Sequence, residues 1–315
     1  KPRGLGRRLA ALSGEGCVHM RISKWRADLL ALLFLLPFVL IYVLYTIWPM
    51  IKGIEMTFYK WTLIKKMSYV GWDNYNKMFH DREVWEAIWH STLFVILTTP
   101  TMVVLAIVLA LIANRKSRLR KLYRTVFFIP SVLSVAVASF LGLFIFQPYM
   151  GFVNTFLHLI RILPENSEIF WLTEVGLSWI AVSAITLWWT VGFNFILYLS
   201  AMQEIPDEIV EAARLDGANN WNVFWNVTLP HLSPITKTIT MLQIIASFKV
   251  FLQIYIITGG GPLDKTRPII QLIYQTGFRE NDLGYAATMS YVVFVILLVL
   301  SAIQYWLNNR KEARA

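Results

Sequence analysis

Three stretches of this 315-residue sequence have residue types and spacings suited to chemistry. Gly259 to Thr266, GGGPLDKT, nearly matches G-x-x-x-x-G-K-[ST], the glycine-rich spacing whose amides cradle phosphates. Asp264 stands where the second glycine is needed and its carboxylate would repel a phosphate, while Pro262 removes an amide donor. The stretch also follows a long apolar run rather than a strand, so nucleotide chemistry is not expected here. Lys249 is a second candidate, an ammonium inside an apolar run that would cost roughly 2.5–3.5 kcal/mol at the centre of a membrane. It either snorkels to the surface or faces a wet cavity and bonds a solute hydroxyl or carboxylate. The third stretch, EAARLDGANNWNVFWNVTLP from Glu211 to Pro230, combines acids, a central glycine and three large aromatics, which is docking rather than catalytic chemistry. Covalent and metal catalysis find no support: His19, His80, His90, His158 and His231 form no HExxH pair, and G-x-S-x-G and S-x-x-K are absent. Cys17, the single cysteine, rules out an internal disulfide framework. No catalytic residue, cofactor or metal site is expected on this chain.

The elements that must position these residues are membrane helices. The sequence is 57% hydrophobic and only 15% charged, against about 45–50% and about 25% in soluble domains. Six runs reach the ~20 apolar residues that cross a bilayer as helix: Leu29 to Trp48, Ile88 to Ile112, Phe127 to Phe146, Leu177 to Met202, Ile235 to Ile257, and Tyr285 to Leu307. They are continuous rather than alternating, which excludes a barrel and predicts an all-α polytopic membrane protein with six transmembrane helices. The first run is too long for a signal-peptide core and lacks a small-residue cleavage pattern, so it reads as a retained span.

Lys and Arg in the short connections set the orientation. The leader, the loop after the second run and the tail, with Arg214, carry 17 basic residues against 10 on the opposite side. Both termini are therefore expected in the cytoplasm, and the formal charge of +10 needs no nucleic-acid partner. The expected organisation is a basic cytoplasmic leader over 1–27, a membrane domain over 28–308 with a cytoplasmic loop at 203–233, and a cytoplasmic tail over 309–315.

That loop breaks the basic pattern, with Glu204, Asp207, Glu208, Glu211 and Asp216 against Arg214 alone. Pro206 opens a short helix with acids in its first turn, and Gly217 supplies the left-handed stop. Asn219 or Asn220 caps a second helix in which Trp221, Phe224, Trp225 and Thr228 recur at helical spacing until Leu229-Pro230 ends it. An amphipathic linker on lipid would present Lys and Arg instead. The five acids favour a helix-turn-helix elbow whose aromatic ridge inserts into a groove on a partner.

At these residues the sequence resembles the permease subunits of binding-protein-dependent ABC importers. EAA at Glu211, Ala212 and Ala213, then Gly217, then Val227-Thr228-Leu229-Pro230 matches their EAA---G---------I-LP signature, with Val227 in the Ile place. VGWDNYNKMFHD, YRTVFFIPSVLS and TGGGP extend the likeness over most of the chain from about Pro37, toward the first permease of the maltose and glycerol-phosphate type importers. The resemblance implies a type I importer fold in the bacterial inner membrane. It also implies a second homologous permease, two ATPase subunits that carry ATP and Mg, an external solute-binding protein, and surrounding lipid. Glu211, Ala212, Ala213, Asp216, Gly217, Trp221, Phe224, Leu229 and Pro230 would then form a coupling helix docked on an ATPase subunit.

It further implies a solute path near Trp189, Thr190 and Phe193, and near Gln243, Ala246, Ser247 and Val250, with Lys249 beside them. Aromatic faces and a few hydrogen bonds suit a sugar. The rivals are an ion-coupled secondary carrier and a membrane enzyme acting on lipid-linked sugar. A secondary carrier is expected to show acids within its spans and discontinuous helices, and neither is visible in the sequence.

Overall fold

A computed structural model describes residues 24–115, 118–164 and 166–312. Most of the expected leader (1–23) and the end of the tail (313–315) lie outside the described residues, as does Lys116. The chain divides into two compact units, Lys1–Gly53 and Ile54–Ala315. In the first, α1 (Lys24–Tyr42) continues through a π segment, Val43–Ile47, into α2 (Trp48–Thr57). Trp48 donates its amide to the carbonyl of Val43, five residues back, one residue before Pro49. A proline cannot donate the normal four-residue bond and crowds the carbonyl four back, so a widened turn at that place relieves both.

The second unit opens with a hairpin, β1 (Tyr59–Trp61) and β2 (Lys66–Tyr69), paired antiparallel. An all-helical expectation missed it because these strands are three and four residues long and carry no alternation. Next come α3 (Asp73–His80), α4 (Arg82–Asn114) and α5 (Arg120–Phe128), then a 3₁₀ turn, Ile129–Val132, and α6 (Val135–Ile145). The chain proceeds through α7 (Phe152–Leu159), α8 (Val175–Gln203), α9 (Asp207–Leu215) and α10 (Asn220–Val223). A second π segment, Phe224–Thr228, leads into α11 (Leu229–Phe248), followed by α12 (Leu252–Ile257), α13 (Ile269–Tyr274), a third π segment, Gln275–Arg279, and α14 (Leu283–Glu312).

Helices α4, α8 and α11 form the heart of this unit. Ala106, Ala110 and Ala113 recur along one face of α4 with no exposed surface, beside Phe195, Tyr198, Leu232 and Ile239. Small residues let helix backbones approach where lipid tails supply no hydrophobic drive. The same device recurs at Gly142, where a methyl group would lie 2.7 Å from Ile185.

Among the described residues, four helices are long and apolar enough to cross a membrane: Leu32–Thr57, Arg82–Asn114, Val175–Gln203 and Leu283–Leu307. The expected third span is a bent pair, Arg120–Val132 and Val135–Ile145, turning by 98°. The expected fifth span, Ile235 to Ile257, is not continuous. Lys249 closes α11 at φ −90°, ψ 13°, and Phe251 restarts the chain at φ −145°, ψ −68°. A cation is favoured at the negative end of a helix, which apolar periodicity alone does not reveal. Discontinuous helices are therefore present, at the bent third span and the interrupted fifth, contrary to the expectation of continuous ones, and their absence no longer counts against a secondary carrier.

Candidate functional site

The elbow between α8 and α11 is built from local signals. Asp207 and Glu208 occupy the first turn of α9 and Arg214 its last, each matching the helix dipole. Gly217 takes φ +86°, its amide donates to Arg214, and the amide of Ala218 reaches back to Ala213. This pair of bonds is a Schellman stop, and the left-handed residue it needs is the glycine. Asn219, rather than Asn220, caps the next helix by accepting the Asn222 amide at 2.8 Å.

The second arm does not end at Leu229-Pro230. The Leu229 amide bonds the Phe224 carbonyl five residues back, and the helix runs on past Pro230 into α11, as it does at Pro49 in the first unit. Val223 is buried and Phe224 packs against the core, while Trp221 and Trp225 are exposed and stack edge-on at 5.6 Å. Glu211, Ala212, Asp216 and Gly217 are exposed beside them, and Leu215 is 89% exposed. An acid-rimmed apolar ridge thus stands at one end of the bundle with no partner surface in this chain's described residues.

A cavity of about 570 Å³ opens where α8, α11 and the broken spans meet. Of the eight residues expected on or beside a solute path, Trp189, Thr190, Gln243, Ala246, Ser247, Lys249 and Val250 line it, together with Phe94 and Gln253. Phe193 does not, and its ring is 57% exposed elsewhere on α8. Much of the polar lining is already engaged. The Trp189 indole donates to the Leu133 carbonyl at 2.9 Å, and Thr190 donates to Thr186 at 2.6 Å.

Gln243 accepts from Asn194 and donates to Ser247 at 3.0 Å. Because the Thr98 hydroxyl donates to Phe94, Ser247 must donate to Thr98 across 2.9 Å. Thr98 and Asn194, polar residues inside apolar runs, complete a buried relay that the candidate residues alone did not include. Lys249 is the sole ionisable residue on the cavity wall, and no carboxylate among the described residues pairs with it.

The glycine loop is closed to phosphate. The amides of Gly259, Gly260, Gly261, Lys265 and Thr266 all bond acceptors within Ile254–Thr266. Thr266 is fully buried and its hydroxyl donates to Gly261, while Lys265 lies 3.8 Å from Glu86. Gln271 ties the loop down through the Gly259 carbonyl at 2.7 Å.

The sequence profile of the family described as "Binding-protein-dependent transport system inner membrane component" matches residues 102–313. Among similar proteins, the probable ABC transporter permease protein YurN of Bacillus subtilis is 30% identical over 275 residues, spanning 86% of this chain and 93% of that one. The multiple sugar-binding transport system permease protein MsmF of Streptococcus mutans is 32% identical over 280 residues, spanning 89% and 95%. A chain in the crystal structure of a bacterial alginate ABC transporter, in complex with its alginate pentasaccharide-bound periplasmic protein, superposes with a TM-score of 0.80. It shares 23% identity and covers 90% of this chain and 96% of its own length.

Proposed function

The chain belongs to the family of binding-protein-dependent transport system inner membrane components, and from that premise we propose that it is a permease subunit of an ATP-driven importer of a sugar or oligosaccharide. The relatives support the sugar reading: MsmF is a multiple sugar-binding system permease, and others serve lactose and arabinooligosaccharides. In this reading the chain crosses the inner membrane six times, counting the bent third span and the interrupted fifth, with both termini cytoplasmic. The leader (1–27) and tail (309–315) flank a membrane domain (28–308) whose loop 203–233 faces the cytosol. The chain itself turns over no substrate; ATP and Mg act on two partner ATPase subunits. A second homologous permease and an external solute-binding protein complete the complex.

The observation that carries this reading is the exposed ridge of Trp221 and Trp225 beside a glycine-stopped, acid-rimmed helix. Desolvating large aromatics in a groove supplies affinity, and Glu211 supplies register against a basic group. Closure of the ATPase dimer would pull on this elbow and swing the spans from inward-open to outward-open. The solute would pass the cavity at Trp189, Thr190, Gln243 and Ser247. The aromatic face of Trp189 suits a sugar ring, and Lys249 adds a charge-assisted bond to a carboxylated or phosphorylated one. The test is crosslinking: photoreactive residues installed at Trp221 or Trp225 should capture an ATPase subunit in membranes of the producing cell. Uptake by this chain alone, without ATP, would overturn the importer reading in favour of a secondary carrier.

A further inference from the structure

The bent third span touches both the base of the elbow and the wall of the cavity. At the elbow end, the Gln203 amide, on the last residue of α8, faces two guanidinium groups that can only donate, so its oxygen is assigned to that side, where it accepts from Arg120 at 3.0 Å and from Arg124 at 2.5 Å. The two arginines lie one turn apart on α5, so both guanidinium groups reach the residue at which the elbow begins. Their Nε atoms are buried without an acceptor among the described residues. A clamp with buried, unused cationic donors is not a fully satisfied static lock, since such groups normally find partners. At the other end, Leu133 in the 98° bend accepts from the Trp189 indole, and Val135 lines the cavity.

Between these contacts, α5 crosses α8 at Gly192. A methyl group there would sit 2.7 Å from the Phe127 carbonyl oxygen, 3.0 Å from the Phe128 Cα and 3.0 Å from the Ser131 hydroxyl, so the two backbones approach closely beside a single small side chain. The three contacts, at 189, 192 and 203, spread over about 21 Å of α8 at 1.5 Å per residue. The span is therefore held to α8 at its start and at its bend, and bears on α8 in between.

We propose that the bent third span, Arg120–Ile145, is a lever joining the elbow to the cavity. Arg120 and Arg124 are positioning residues that hold it to Gln203, the Gly192–Phe127 crossing is its fulcrum, and the Leu133–Trp189 bond moves the cavity wall. When the elbow moves, the unused arginine donors re-pair and the bend swings. This rests on the importer reading and adds the route by which motion passes inside this subunit. Spatial continuity alone does not establish coupling, so the test measures motion at the far end.

The complete complex with partner permease, ATPases and binding protein is reconstituted in nanodiscs, with spin labels at Phe140 on α6 and Leu242 on α11. The distance between them is read before and after trapping with ATP and vanadate. Gln203→Met, which removes the acceptor, and Gly192→Ala should each keep ATP hydrolysis within about twofold while losing at least half of the distance change. Gln203→Glu, which keeps an acceptor for both arginines, should restore it. A full distance change in Gln203→Met and Gly192→Ala overturns the lever. So does a proportional fall of hydrolysis and motion in both, or failure of Gln203→Glu to rescue. If Gly192→Ala does not assemble, the Gln203 pair decides alone. Absence of any nucleotide-linked change in the unmodified complex would instead count against the importer reading.

Discussion

Gly217 and Lys249 show how much rests on single residues. At Gly217 a side chain would meet nothing within 4 Å, so substitution there is resisted by backbone conformation, φ +86°, and not by space. A β-branched residue forced into the left-handed region loses on the order of 1–2 kcal/mol, enough to open the Schellman stop and misalign the two arms of the elbow. Gly217→Val should leave the protein in the membrane within about twofold of the normal amount and cut ATP-driven uptake by about tenfold, whereas Gly217→Asn, which tolerates that conformation, should retain most uptake. Immunoblotting of membranes beside vesicle uptake separates the two readouts. Lys249 makes a different prediction because it is the single ionisable group on the cavity wall. Lys249→Met should lower uptake of uronic-acid oligosaccharides by about tenfold and leave neutral ones within about twofold, the worth of one charge-assisted bond. Equal effects on both classes would assign the ammonium to closing α11 and not to the solute.

At the scale of elements, the linker from α7 to α8 is held by a polar cluster that reports on pH. Glu168 accepts from the Tyr149 amide, from Asn154 at 2.6 Å and from His158 at 3.3 Å, and Asn154 in turn accepts from Trp171. Burial opposes ionisation of Glu168, but these three hydrogen bonds outweigh it and hold its pKa below the ordinary carboxylate value. A carboxylate whose pKa is depressed on folding contributes stability above its unfolded pKa and loses it as pH falls through the folded value. Hydrogen-exchange protection factors, that is, rates corrected for the intrinsic pH dependence, should therefore be high in the segment 149–171 at neutral pH and fall once the pH drops below the ordinary carboxylate range, and Glu168→Gln should abolish that dependence. The long apolar helices, the α9 turn and the Asn cap were legible because each rests on local chemistry: apolar run length, acids in a first turn, a glycine at a stop. The hairpin at 59–69, the breaks at Leu133 and Lys249, and the helix running on through Pro230 were not. They depend on where another element offers a partner, as the Trp189 indole does for the Leu133 carbonyl, or on a π turn that absorbs a proline. Phe193 fell off the cavity for a related reason, since helical spacing fixes a face only once the neighbouring helices are known.

For the molecule as a whole, the distribution of charge and of exposed apolar surface makes one demand. Phe140 and Phe144 on α6, one arm of the bent third span, are exposed, and lipid or a second permease must cover them. The acid-rimmed ridge at the elbow needs an aqueous partner, so the elbow must lie outside the bilayer. In the proposed orientation the bias of 17 basic residues against 10 assigns it to the cytoplasmic side, because basic residues in short connections resist translocation. The same proposal puts Arg120, Arg124 and Gln203 on that side, and the hairpin tip at Ile64 and the glycine loop at Leu263, both about nine-tenths exposed, on the other. Single cysteines introduced at Asn219, Ile64 and Leu263, in a Cys17→Ser background, should divide accordingly in intact cells stripped of outer membrane. A membrane-impermeant maleimide should label Ile64→Cys and Leu263→Cys at once, and Asn219→Cys only after the cells are opened. Labelling of Asn219→Cys from outside would invert the whole arrangement and leave the aromatic ridge on the side where no ATPase can reach it.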